Sequence, residues 1–217
     1  MTGFFTGKTQ YYRQYRRGYP AEVFDAIISQ FALTPESHIL DLGCGTGNIA
    51  VPLAMRGLWI HAVDPEPEML AEGKRYESEI STTCHIRWLS GADTTINQLD
   101  LPPLQVCIMG LSFHWMNRPA VLSTLNYMIE PDGGIACVNI QNGFHSVCET
   151  EWGGAAISVL REMLEDSWDY SGRFEQRKGD RHETIFAQSP FPVISEYLFS
   201  VQEKLTIDDI IGQLLST

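Results

Sequence analysis

An apolar run that meets an acid and then three glycines at alternate positions, HILDLGCGTGNIA at residues 38–50, constrains this chain more than any other stretch. Gly43, Gly45 and Gly47 leave the backbone bare where a strand-like run gives way to a helix-like one. Glycine reaches φ above zero and lets another group approach the main chain closely. A helix start also offers N–H groups with no intrahelical partner. The stretch reads as a βα unit whose turn is shaped for a ligand.

The rest of the chain repeats that unit. Residues 20–32 carry apolar side chains at helical spacing, with Val23, Phe24, Ile27, Ile28 and Phe31 on one face. Strands are expected at 37–43, 58–64, 84–90, 104–110 and 135–140, and helices at 47–57, 65–78 and 118–130, with a turn at the Pro131–Gly134 stretch. Pro52 is tolerable in an early helical turn and Gly57 is a stop signal. Alternation of this kind implies an α/β fold, a Rossmann-like doubly wound, mostly parallel sheet flanked by helices. Ligands bind such sheets at the carboxyl ends of the strands, where strand order reverses. The glycine run and Asp64 both fall there and should share one crevice. Beyond residue 141 the pattern predicts a helix over 152–168, a loop-rich stretch at 169–190, one or two strands within 191–205, and a last helix from Thr206, its N-cap, with Asp208 and Asp209 in the first turn.

The chain has 217 residues, 44% hydrophobic and 19% charged, which fits one α/β domain with a real core. A net charge of −12, with a single basic cluster at YYRQYRRGY, makes nucleic acid a poor partner, because phosphate backbones are held by Lys and Arg. No run approaches the roughly 18 apolar residues of a membrane helix, and residues 1–20 lack a signal-like apolar core, so the expected compartment is the cytoplasm and no membrane partner is expected. The five cysteines have no metal-ligand spacing and read as reduced thiols; the six histidines form no zinc motif, so no metal is expected.

The loop spacing is G-x-G-x-G, unlike the G-x-G-x-x-G of dinucleotide sites, and no G-K-[ST] of a P-loop follows. DLGCGTG resembles motif I of the class I S-adenosylmethionine-dependent methyltransferases. That resemblance implies S-adenosylmethionine as cofactor, Asp41 on its methionyl amino group, and Gly43, Gly45 and Gly47 passing beneath it. Asp64 ends the second strand 17 residues after Gly47, close to the roughly 20-residue spacing at which an acid meets a ribose. Its two oxygens could accept both ribose hydroxyls, or could cap the next helix. VDPEPEML is similar to the family's stretch in which the residue after the acid, here Pro65, and Met69 pack the adenosine. SGADTT matches the place where an acid, Asp93, takes the adenine amino group and Ala92 offers a backbone N–H; an N-cap is the other reading of Asp93.

MGLSFHWMNRPAVL at residues 109–122 resembles a bacterial subgroup of these enzymes, type 11-like and similar in pattern to the trans-aconitate methyltransferase group. YYRQYRRGYP resembles the same subgroup's N-terminal lid, with Arg17 in place of a proline. By that resemblance Tyr12, Tyr15, Arg16 and Ser112 belong to the cofactor side, and Tyr11, Trp115 and His145 line the acceptor pocket. His114 is the candidate base, since imidazole exchanges a proton near neutrality; a core histidine bonded to backbone is its other reading. No N-P-P-[YF] motif follows the fourth strand, which together with the charge points to a small-molecule acceptor.

The resemblance divides one methyltransferase domain, residues 1–217, into a lid at 1–20, a cofactor-binding core at 21–140 and an acceptor-side insert with the last elements at 141–217. The family sheet has seven strands, and relatives continue beyond the Leu214–Thr217 stretch, so a missing seventh strand is expected to leave the fifth strand with an open edge. A homodimer or a local rearrangement would cover that edge. A cofactor-binding protein that no longer catalyses is the alternative function, and a nicotinamide-dependent oxidoreductase on the same fold is a third reading, disfavoured by the glycine spacing.

Overall fold

The computed structural model describes residues 9–16, 18–80, 84–140, 153–155, 158, 162, 181–192, 195–202 and 204–215. Five strands form one parallel sheet: β1 (His38–Leu42), β2 (Trp59–Asp64), β3 (His85–Ser90), β4 (Leu104–Gly110) and β5 (Ile129–Val138). Their order is β3-β2-β1-β4-β5. The helices whose bounds are described are α1 (Thr9–Tyr15), α2 (Ala21–Gln30), α3 (Ala50–Ala54), α4 (Pro67–Glu79), α5 (Arg118–Leu125), α6 (His182–Ala187) and α7 (Ile207–Leu215); residues 153–155, 158 and 162 are helical too.

The central strands are apolar on both faces because helices cover both. On one face Ile39, Ile60, Ala62, Val106 and Ile108 pack with Val23, Phe24 and Ile27 of α2, Ala50 and Leu53 of α3, and Leu70 of α4. On the other, Leu40, Leu42, Val63, Cys107 and Met109 meet Val121, Leu122 and Leu125 of α5 and Phe186 of α6. Burial of each such Ile, Leu or Val contributes about 1.5–3 kcal/mol. Strand alternation puts Asp41, Asp64 and Gly110 on the α2–α4 side, at the carboxyl ends of three neighbouring strands.

Several elements differ from the sequence expectation. α3 starts at Ala50 rather than at residue 47. Gly47 has φ of +87°, which a right-handed helix cannot use. α5 stops at Leu125, and β5 begins at Ile129, well before residue 135. Leu104 pairs with Ile129 and Val106 with Gly134, so the Pro131–Gly134 stretch is a bulge within the strand rather than a turn before it. A Cβ at Gly133 would lie 2.3 Å from the Gln105 carbonyl oxygen, which explains the glycine. Residues 182–187, expected as loop, form α6, because Phe186 and His182 pack on Phe113. The described residues of 191–205 form no strand; Tyr197, Leu198 and Val201 are exposed there with no ladder partner. Among the described residues β5 therefore pairs with β4 alone. The helix expected over 152–168 falls almost wholly outside the described residues. α7 begins as expected: Thr206 Oγ1 accepts from the Asp209 amide at 3.2 Å, and Asp209 Oδ2 accepts from the Thr206 amide at 2.8 Å.

Candidate functional site

Strand order reverses at β1, whose neighbours β2 and β4 lead to opposite sides of the sheet. The crevice above it is built from four loops. The first is the glycine loop after β1. The Gly43 and Cys44 amides both donate to the Val63 carbonyl, at 2.8 and 3.0 Å, which folds the loop back over β2. Gly43, Gly45 and Gly47 all have positive φ, at +74°, +53° and +87°. They serve different ends. A Cβ at Gly43 would lie 2.5 Å from Cβ of Ser112, and one at Gly47 would lie 2.7 Å from the Trp88 ring. A Cβ at Gly45 would meet nothing within 4 Å, so this glycine faces open space.

Two carboxylates border that space. Asp41 is 1% exposed; the Ala50 amide donates to it, while its Oδ2 has no partner. Burial, opposed by that amide and aided by the Asp64 charge, pushes its carboxyl up to about 8. Asp64 Oδ2 accepts from the Gly45 amide at 2.8 Å and Oδ1 from the Glu66 amide at 2.9 Å. Burial raises its carboxyl too, against those two hydrogen bonds. Two buried acids, one with a partnerless oxygen, thus stand beside the open side of the loop, where burial opposes their charge. A ligand carrying an ammonium group and vicinal hydroxyls fits what is present. Beside Asp64, Pro65 is exposed, and Met69 is buried on the inner face of α4.

The third loop follows β3. The Ala92 amide, expected to be available, donates to Thr95 Oγ1 at 2.9 Å within a turn. Asp93 Oδ2 accepts from the Asn117 amide at 3.0 Å and so ties this loop to the one after β4. In that fourth loop Leu111 has φ of +52°, a left-handed conformation costly for a branched side chain. The Ser112 hydroxyl donates to the Leu42 carbonyl at 2.7 Å, pinning the loop over Gly43. His114 and Trp115 follow in a 3₁₀ turn with ring centroids 5.4 Å apart, His114 half-buried and Trp115 52% exposed.

α1 brings Tyr12 within electrostatic reach of Asp64. Tyr12 is half-buried, and its hydroxyl is raised by burial, while the nearby Arg16 charge lowers it and that of Asp64 raises it. The Arg16 guanidinium lies 5.6 Å from the Tyr12 ring centroid. Tyr15 packs on Gly212 of α7. The side chain of Tyr11 and the whole of His145 lie outside the described residues. Among the described residues no three His, Cys, Asp or Glu side chains could hold a metal, and no helix is long and apolar enough to cross a membrane.

Sequence reasoning missed Tyr19, Trp88 and Leu111. The Tyr19 hydroxyl stands 2.7 Å from where a Gly110 Cβ would be, and Asp41 and Arg16 both act on its charge. Trp88 fills the gap between Gly47 and Gly73 and donates to Glu77 at 2.8 Å. The signal for Tyr19 and Trp88 was a glycine within or ending an element, Gly110 at the end of β4 and Gly73 inside α4, which marks close approach by another group.

Residues 39–133 match the family model described as a methyltransferase domain. An uncharacterized methyltransferase of Mycobacterium tuberculosis is 28% identical over 127 residues, 58% of this chain and 48% of the relative. A probable S-adenosylmethionine-dependent methyltransferase of Saccharomyces cerevisiae is 21% identical over 129 residues, 59% of this chain and 44% of the relative. The chain thus spans about half the length of these curated relatives. Among solved structures, a plantazolicin methyltransferase crystallised with S-adenosylhomocysteine shares the fold, with a TM-score of 0.52 at 14% identity over 67% of this chain and 56% of that one.

Proposed function

We propose that the chain is a class I S-adenosylmethionine-dependent methyltransferase and that it transfers a methyl group from S-adenosylmethionine to a small-molecule acceptor. The observation that carries the reading is the partnerless, buried Asp41 Oδ2 beside Asp64 and the open side of Gly45. Asp41 takes the ammonium of the methionyl end. Asp64, already oriented by two backbone amides, has lone pairs left for the ribose hydroxyls. Pro65, Met69, Ala92 and Asp93 border the adenine side; Tyr12, Arg16 and Tyr15 belong to the lid. The bound cofactor supplies a methyl group already activated by its sulfonium.

The chain's own contribution is positioning and the exclusion of water, which can supply much of the rate in an in-line displacement. Ser112 holds the β4 loop against β1, and that loop presents His114 and Trp115. Trp115 walls the acceptor pocket with Tyr11 and His145. His114 accepts the acceptor's proton on a ring nitrogen. In this reading residues 1–20 are the lid, 21–140 the cofactor core and 141–217 the acceptor side of one domain in the cytoplasm. The kinship to the trans-aconitate group rests on the Tyr11–Pro20 and Met109–Leu122 stretches. A homodimer over the β5 edge is part of the proposal, and sedimentation should show it.

Calorimetric titration with S-adenosylhomocysteine tests the cofactor. Micromolar binding, about −8 kcal/mol, should be lost in Asp64→Ala, and NAD should not compete. Binding unchanged in Asp64→Ala, or competition by NAD, would refute the reading.

A further inference from the structure

α1 is held from two sides. Toward α4, Arg13 donates to Glu72 Oε1 at 3.1 Å and forks onto both oxygens of Glu79, with its guanidinium 5.2 Å from the Tyr76 ring centroid. Toward α7, the Tyr15 ring lies flat on Gly212, where a Cβ would come within 2.1 Å of Tyr15 Cγ. Gly212 is buried by that contact. The same helix carries Tyr12, whose hydroxyl lies within electrostatic reach of Asp64.

We propose that Arg13, with Glu72 and Glu79, and Tyr15 on Gly212 form a two-sided latch that seats α1 over the crevice and so positions the cofactor's lid. The proposal rests on the methyltransferase reading for what the lid closes over. Its chemistry is that of a latch and not of a permanent weld. Glu72 is a carboxylate with an 8% exposed side chain, which would be costly to leave bare. Arg75 pairs with it from one helical turn away at 2.6 Å, so Glu72 remains neutralised when Arg13 leaves. Glu79 is 48% exposed, so its pair with Arg13 trades readily for water and weakens with salt. A residue other than glycine at 212 would push the Tyr15 ring off α7, while alanine would favour the helix itself. The latch residues touch no reacting atom; they act through the seating of Tyr12 and Arg16.

Hydrogen exchange of amides 9–16 in the free protein tests the latch without any ligand. Arg13→Ala should speed exchange about tenfold, and Gly212→Ala should do so independently, with α4 and α7 protected as before. Glu79→Gln should also speed exchange, and the Arg13→Ala/Glu79→Gln pair should show less than the product of the two, because the partners are shared. Raising salt should speed exchange in the wild type and hardly at all in Arg13→Ala. S-adenosylhomocysteine should bind Arg13→Ala about tenfold more weakly, with Arg13→Lys between. Unchanged exchange in both Arg13→Ala and Gly212→Ala overturns the latch. Faster exchange with unchanged affinity overturns its positioning role. A wild type that binds no S-adenosylhomocysteine refutes the cofactor reading, and the exchange result then still decides the latch.

Discussion

Asp41 concentrates the chemistry at the residue scale. Burial pushes its carboxyl up to about 8 and its Oδ2 has no hydrogen-bond partner, a combination that concentrates at functional sites. Asp41→Asn should weaken S-adenosylhomocysteine at least tenfold, about 1.4 kcal/mol. It should also raise the thermal midpoint at pH 9, since it removes a charge that burial opposes; a lower midpoint there would contradict this. The three glycines separate by role. Gly43→Ala meets both a left-handed φ and Ser112, so it should cost about 2–4 kcal/mol in urea unfolding. Gly45→Ala meets only the φ, about 1 kcal/mol, and should instead abolish ligand binding because its Cβ points into open space. The sequence displayed the three glycines and both acids. It could not assign the glycines, because Ser112 and Trp88 arrive from 69 and 41 residues away along the chain.

Among elements, the loop after β4 is the most tightly specified. Leu111 is strained, Ser112 is bonded to β1, Phe113 is buried under Phe186, and Asn117 is bonded to Asp93. Removing the Ser112 hydroxyl leaves the buried Leu42 carbonyl short of a donor, so Ser112→Ala should lower stability by about 1–2 kcal/mol and should speed amide exchange across residues 111–117. No change in exchange there would mean that the loop is held by its apolar contacts alone. The strands up to β4 were legible because each is a short apolar run bounded by turn residues. β5 was misread because Pro131 and two glycines look like a turn, while the bulge opposite Gln105 absorbs them. α6 was invisible because its single buried anchor, Phe186, lies in a polar stretch whose partner Phe113 is remote.

The whole molecule inherits opposed titrations. His61 is buried and sits 3.3 Å from His38, and burial lowers its imidazole from 6.5 to about 4. Its neutral ring contributes stability that is present above pH 6.5 and lost as pH falls through 4. Asp41 acts the other way. Its proton is kept in the folded state and given up by the unfolded chain, so stability falls as pH rises from about 4 through 8. Of these two, only the acid remains active above pH 6.5, and the buried thiols of Cys44, Cys107 and Cys137, raised by burial, add to it in the same direction, so urea unfolding should show lower stability at pH 8.5 than at pH 6.5. Most of that difference should be lost in Asp41→Asn. At this scale the alternation of strands and helices sufficed to give the layers and the crevice. The unladdered stretch at 195–202 was not foreseeable, since its apolar residues carry a strand pattern and only tertiary context denies it a partner.

The decisive measurement is calorimetric titration of S-adenosylhomocysteine at pH 7 in two buffers of different ionisation enthalpy. An ammonium placed on Asp41 Oδ2 lowers the carboxyl below 7, so binding should release a large fraction of one proton, and Asp41→Asn should release none. Affinity should accordingly rise with pH up to about 8 and then level off. Binding with no proton release, and with the same pH dependence in Asp41→Asn, would contradict the assignment of this crevice to the methionyl end of the cofactor.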